Sequence, residues 1–226
     1  MEHLLNNPVY NALLSGDANL AFGKERVKYF DEDVSPFAGF DEGNAQGFDE
    51  LFELLPGGRK ILYATPQLIK EPTGWQLLNE IKGLQFILNA NNNVSHSQFK
   101  PVPLQKEHVE QMVQLAELTK PGPFGNRTIE FGNYYGIFQN GKLAAMTGQR
   151  LHVSTYTEVS AVCTHPDHTG KGFAAALVEH QIGIISGDGQ IPFLHVREDN
   201  TRAIALYKRM GFKISRPMNF YFLKRC

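Results

Sequence analysis

Of cysteine and tryptophan the 226-residue chain has very little: Cys163, Cys226 and a single Trp. One mid-chain and one terminal cysteine cannot frame a disulfide scaffold. No run approaches the ~18 consecutive apolar residues that a membrane-spanning helix needs. The start, Met1 to Phe22, lacks a basic stretch followed by an apolar run and a small-residue cleavage site, so it does not read as a secretion signal. Charge of one sign is missing too, since 22 Lys and Arg against 23 Asp and Glu leave a net charge of −1. A nucleic-acid-binding protein would show a dense Lys/Arg face, and none is visible. The expectation is a cytoplasmic protein with neither nucleic acid nor membrane as partner.

What the chain does have is apolar bulk: 42% hydrophobic residues, with 16 Phe and 8 Tyr, which argues for a packed core and against disorder. Its length suits one large domain or two small ones. The balanced total hides a gradient, because residues 1–60 carry 5 Lys/Arg against 11 Asp/Glu, whereas residues 165–226 carry 9 against 5. A small, multiply anionic ligand would suit the C-terminal part.

The polar stretch Asn89 to Ser97 fits neither helix nor strand periodicity and reads as a linker. It separates an N-terminal α/β part, residues 1–95, from a C-terminal domain, residues 96–226. In the first part, Lys60–Ala64 and Leu84–Leu88 read as strands. Trp75, Leu78 and Ile81 recur at helical spacing between them, and Phe48, Leu51, Phe52 and Leu55 form a second helical face. No chemistry is visible in this part. In the second, Phe99–Leu104 is a proline-interrupted edge strand, and Val109, Met112, Val113 and Ala116 mark a helix. Tyr134–Phe138 and Leu143–Gly148 flank Asn140-Gly141, a strong hairpin signal. A strand over Thr155–Thr164 leads through a glycine-rich turn into a helix with the face Phe173, Ala174, Leu177, Val178, Ile182 and Ile185. Then come a strand (Pro192–Val196), a helix (Asn200–Met210) stopped by Gly211, and a closing hairpin of Phe212–Ile214 with Asn219–Leu223. The class is mixed α+β, with too many hairpins for an all-parallel sheet.

The informative segment runs from Val162 to Ala174. Unpaired N–H groups and the positive dipole end at a helix start make an anion site, and glycines let backbone approach a phosphate. Lys171 adds charge. A tight strand-to-helix turn is the plainer use of the same glycines. A Walker A loop fails, because Gly172 follows Gly170-Lys171 where Ser or Thr must hold magnesium. Gly170 to Ala175 satisfies G-x-G-x-x-A, and Glu198 ends the next strand. However, His165–Thr169 intervene after the first strand, and too little chain follows for a dinucleotide domain.

Thr169-Gly170-Lys171-Gly172-Phe173-Ala174 resembles the coenzyme A loop of the GNAT superfamily of N-acetyltransferases, Arg/Gln-x-x-Gly-x-Gly/Ala. Asn200 to Phe212 is similar to that family's second signature, in which an Asn opens a helix ending Leu-Tyr-x-x-x-Gly-Phe. The resemblance covers residues 98–226 and departs at Thr169, where the family has Arg or Gln. Asn7–Leu13 and Val34–Ala38 resemble the start of a bacterial two-part branch that is similar to glycine N-acyltransferases, whose N-terminal half is a degenerate copy of the acetyltransferase fold.

The resemblance implies a GNAT fold with a central mixed sheet, and acetyl-CoA or coenzyme A as co-substrate. Its pantetheine arm would lie along Val162-Cys163-Thr164. Amides from Thr169, Gly170, Lys171, Gly172, Phe173 and Ala174 would hold the pyrophosphate, with Asn200 and Ala203 beside the cofactor. Tyr207 falls on the family's general-acid position, though its helical face would equally serve as core. Glu158, the only acid between Glu130 and Asp167, is the general-base candidate, acting through water; an exposed strand charge is the alternative. His152 or His195 would line an acceptor pocket or be structural. Cys163 has no activating partner and reads as buried filler. His165 and His168 lack further ligands at zinc spacing, so no metal is expected. The function so implied is direct transfer of an acetyl group to the primary amine of a small molecule. An amino-acid N-acyltransferase using longer acyl-CoA donors, or a non-catalytic acyl-CoA-binding module, is the alternative. Amino acid, polyamine, drug, metabolite and protein N-terminus all remain open as acceptor.

Overall fold

The computed structural model describes residues 3–88 and 99–226. In chain order the elements are α1 (Pro8–Leu14), β1 (Ala21–Lys24), β2 (Val27–Phe30), β3 (Ala38–Phe40), α2 (Gly47–Leu54), β4 (Lys60–Thr65), β5 (Trp75–Leu88), β6 (Val102–Pro103), α3 (Val109–Thr119), β7 (Tyr135–Gln139), β8 (Lys142–Val153), β9 (Tyr156–Thr164), α4 (Phe173–Gly187), β10 (Ile191–Arg197), α5 (Thr201–Arg209) and β11 (Phe212–Arg225). None of these helices is long and apolar enough to cross a membrane.

Eight strands form one mixed sheet in the order β4-β11-β5-β10-β9-β8-β7-β6, and β1-β2-β3 form a small second sheet. The β9–β10 pair is parallel, while its neighbours are antiparallel. Local sequence sets several of these elements. Asn140 (φ 51°) and Gly141 (φ 75°) turn β7 into β8 with the two positive φ values of a type I′ hairpin. The short β6, with its proline, sits at the sheet edge.

Two expectations change. The helix read from Trp75, Leu78 and Ile81 is the first half of the strand β5, which lies between β10 and β11. Its i, i+3, i+6 spacing imitates a helix because Gln76, Asn79 and Glu80 between those residues are exposed, so no strict alternation shows. The closing hairpin is instead one 14-residue strand, β11, with a register shift between Ile214 and Arg216 where a turn was expected. Its partners are β4 and β5, from the N-terminal part.

The linker read at Asn89–Ser97, and with it the 95/96 division, lies outside the described residues. One sheet runs across that division, and so does one core. Leu5, Val9, Phe30 and Phe37 pack in the same cluster as Met112, Leu151, Phe193 and Phe220. The opposite face of the sheet is covered by α4 and α5, where Val178, Ile182 and Tyr207 meet Phe86, Val159, Leu194 and Phe212.

Candidate active site

Strands β9 and β10 pair over only three residues, Tyr156–Glu158 with Ile191–Phe193. Beyond Glu158 they separate, and β10 is held by β5 on its other side. Beyond Val159, the remaining edge of β9 therefore has no strand beside it among the described residues. Within that stretch Ala161 has φ 52°, and the register with β8 slips between Met146/Cys163 and Gly148/Ser160. This bulge breaks side-chain parity, so Glu158 and Val162 do not share a face by simple alternation.

The gap opens a cavity of about 660 Å³ that reaches both faces of the sheet. On the helical face, the chain leaves β9 through a short 3-10 turn, Pro166–His168, and enters α4. Thr169 N–H donates to Pro166 O, and the next such bond is from Ala176 N–H to Gly172 O. Between them, the N–H groups of residues 170–175 find no partner among the described residues. Gly170 (φ 83°) and Gly172 (φ 85°) hold the left-handed conformations that make this donor run. A Cβ at either would meet nothing closer than Phe99 Cε2 at 3.7 Å, so conformation rather than space requires glycine here.

Most of the residues singled out from the sequence wall this cavity. Val162, Cys163 and Thr164 line it from β9, and Thr169, Gly170, Gly172, Phe173 and Ala174 from the loop and α4. Lys171 does not; its Nζ lies 2.9 Å from His168 Nδ1. The Thr169 hydroxyl donates to Pro166 O at 2.9 Å and so supports the turn. Asn200 caps α5 by accepting from Ala203 N–H at 3.1 Å, and both residues line the cavity. Burial pushes the Cys163 thiol up to about 11, which suits a filler and not a nucleophile. Thr164 Oγ1 is buried without a partner.

Tyr207 lies in the core cluster against Phe86 and Phe212 and also lines the cavity. Its hydroxyl makes no hydrogen bond among the described residues. Burial, with a smaller contribution from Cys163, raises its pKa, so it keeps its proton throughout the neutral range.

On the other face stands a buried polar network. Glu158 is 1% exposed and takes two hydrogen bonds from Arg150, Nε to Oε2 at 2.8 Å and Nη2 to Oε1 at 2.9 Å. His195 Nδ1 lies 2.7 Å from Glu158 Oε1. Gln85 Nε2 donates to the Leu5 carbonyl at 2.9 Å and lies 3.0 Å from His195 Nε2. The opposite amide orientation would set an oxygen against the Leu5 carbonyl. Gln85 thus donates, His195 Nε2 accepts, and the imidazole proton sits on Nδ1 toward the carboxylate. Burial pushes the Glu158 carboxyl up, but the charge and hydrogen bonds of Arg150 and the hydrogen bond from His195 outweigh it and hold the pKa at about 2. Three of the carboxylate's roughly four acceptor positions are taken, leaving one on Oε2.

His152 stands apart from the cavity, its Nδ1 2.6 Å from Asp17 Oδ1, and fastens the N-terminal segment to β8. Sequence reasoning missed the N-terminal contribution altogether. Phe37, Leu62, Ile81 and Gly83 line the cavity, and Arg150 lies 4.8 Å above the Phe37 ring. No local motif marks those residues. Their signal is the pairing of β5 with β10, which sets Gln85 opposite His195.

The chain is similar to several known proteins. A family model described as FR47-like protein matches residues 134–221. The ribosomal protein bS18-alanine N-acetyltransferase of Escherichia coli (strain K12) is 32% identical over 109 residues, which are 46% of this chain and 70% of that protein. The crystal structure of a protein assigned as an acetyltransferase of the GNAT family, from Novosphingobium aromaticivorans, superposes with a TM-score of 0.91 at 32% identity, covering all of both chains. A GCN5-related N-acetyltransferase from Kribbella flavida shares the fold, with a TM-score of 0.65 at 16% identity over 98% of this chain and 95% of its own.

Proposed function

The chain belongs to the GNAT family of N-acetyltransferases, and from that premise we propose that its cavity moves an acetyl group from acetyl-CoA to the primary amine of a small molecule. The observation that carries this reading is the cavity's path. It joins N–H donors and a tyrosine hydroxyl, unpaired among the described residues, on one face of the sheet to a buried carboxylate on the other.

The residues present fit acetyl-CoA. The donor run at 170–175 suits a pyrophosphate at the start of α4. The unpaired edge of β9 and the orphaned Thr164 Oγ1 suit the amide-bearing pantetheine arm. Acetyl-CoA supplies the activated acyl group, whose carbonyl carbon the amine attacks as the C–S bond breaks. Holding donor and acceptor in line through the gap supplies much of the rate without a covalent intermediate.

In this reading the uncharged amine attacks, Tyr207 gives its proton to the departing sulfur and regains one from solvent, and the proton shed by the new amide nitrogen leaves to solvent through the water at Glu158. The Glu158 carboxylate, at about 2, is a weak base. Its free position on Oε2 takes a hydrogen bond from the amine, directly or through one water, and its fixed negative charge favours the positive charge that grows on nitrogen during attack. Arg150, His195 and Gln85 keep that oxygen in place. The free Cys163 and Cys226 suit a reducing compartment, and the proposal places the enzyme in the cytoplasm.

The test is Tyr207→Phe, followed by release of free thiol in the presence of amines. Turnover falls by about 100-fold, in the range for loss of a general acid, while KM for acetyl-CoA stays within about twofold. Unchanged turnover removes the acid role. A non-catalytic acyl-CoA-binding module instead shows an acetyl-CoA-dependent rise in melting temperature and no thiol release with any amine.

A further inference from the structure

On the face away from α4 and α5, the cavity wall is made of Phe37, Leu62, Ile81, Phe220 and Phe222. Ile81 pairs with Phe220 across β5 and β11, and Phe222 with Leu62 across β11 and β4, so these side chains come from three adjacent strands. Phe37 reaches the same patch from the bridge that joins it to Leu62. The cavity's charged lining is one-sided. Lys120, Arg150, Arg197, Arg202 and Arg209 contribute cations, and Glu158 is the only carboxylate among the described lining residues. That carboxylate already shares its charge with Arg150 at 2.8 Å, so it can serve one further ammonium at most.

A polyamine or a lysine-rich peptide needs several acceptors for its ammonium groups, and a desolvated ammonium without one is costly. This wall provides the single open position on Glu158 and apolar surface around it. We infer that the acceptor is a monoamine, with its one primary amino group carried on an aromatic or branched apolar body. This rests on the acetyltransferase reading and narrows its substrate class. A free arylalkylamine and a peptide whose first residue is apolar share that chemistry.

The experiment measures kcat/KM by thiol release for 2-phenylethylamine, 3-methylbutylamine, the tripeptide Phe-Gly-Gly, spermidine and a lysine-rich peptide. The wild type and two variants, Phe220→Ala and Ile81→Glu, are compared. The two simple apolar amines are expected to exceed spermidine by at least tenfold, the scale on which an apolar pocket discriminates. Phe-Gly-Gly activity then distinguishes a peptide N-terminus from a free amine as the source. Phe220→Ala should lower kcat/KM for 2-phenylethylamine at least tenfold, and Ile81→Glu should shift preference toward spermidine. Each variant is first shown to be folded by a melting rise with acetyl-CoA equal to that of the wild type. Spermidine or the lysine-rich peptide matching the apolar amines overturns the inference, as does unmoved preference in both folded variants. Failure of the underlying reading looks different: no acetyl-CoA-dependent melting rise, and no thiol release with any amine.

Discussion

Replacing Glu158 by Gln tests whether the network at the floor of the cavity is held by charge. The amide keeps the shape of the carboxylate but turns one of its acceptors into a donor. That NH2 group must then face either the Arg150 guanidinium or His195 Nδ1–H. The histidine cannot evade it by changing tautomer, because a proton on Nε2 would point at the NH2 group of Gln85, which is fixed by the Leu5 carbonyl. Arg150, with its side chain 13% exposed, is left a buried cation without a full partner. Breaking such a pair from one side costs about 3–5 kcal/mol. In a chain of this size that lowers Tm by about 6–20 °C, at roughly 2–4 °C per kcal/mol. The double variant Arg150→Met/Glu158→Gln should be more stable than the single one. The unpaired cation is gone, the new amide oxygen accepts from His195 Nδ1–H, and methionine still packs on Phe37. Thermal and urea unfolding of all four proteins gives the coupling. The pH dependence adds a sign. Because the folded-state pKa lies at about 2, below the usual 4.5, the carboxylate's contribution is fully present above about pH 4.5. It is lost as pH falls toward 2. The gap between wild type and Glu158→Gln is therefore flat from pH 5 to 8 and closes in acid. A loss below about 1 kcal/mol, or additive effects in the cycle, would refute the locked network.

Two further outcomes follow from backbone and packing. Gly172→Val places a β-branched residue at φ 85°, a strain of about 1–3 kcal/mol that re-aims the N–H groups opening α4. Calorimetry should show coenzyme A affinity down at least tenfold while the protein still melts cooperatively; normal affinity would detach the loop from phosphate binding. Gly148→Ala sets a Cβ 2.3 Å from the Tyr134 ring, which costs about 1–3 kcal/mol by overpacking. Tyr134→Leu in the same chain should recover much of that loss, since the Tyr134 hydroxyl is buried without a partner to give up.

The glycine turn proposed to face the acyl donor was legible in the sequence, and so were Glu158 and His195 on the other side of the cavity, but the apolar wall beside them was not, for a physical reason. A run of backbone donors demands particular φ values, and at Gly170 and Gly172 those demands show as residue type within a few positions. Asn200 is similarly explicit, because a cap must sit where its helix starts. The apolar wall, by contrast, depends on which strands lie side by side. Gln85 and His195 are 110 residues apart and meet because β5 enters the sheet between β10 and β11. Nothing in the composition of β5 announces this. Its outer half, where Gln76, Asn79 and Glu80 are exposed, has no strict alternation to read. In β11, Ser215-Arg216-Pro217 has the look of a turn, yet β4 pairs with β11 only from Asn219 onward. Pro217 is therefore flanked by β5 alone, and its missing N–H removes no bond to β4. A proline that would break a strand paired along both edges is tolerated in one paired along a single edge. The strand then continues to Phe220 and Phe222 and carries them to the cavity wall. The same partnership brings Phe37, Leu62 and Ile81, from a part without a recognisable motif, to the wall of the cavity proposed to take the acceptor.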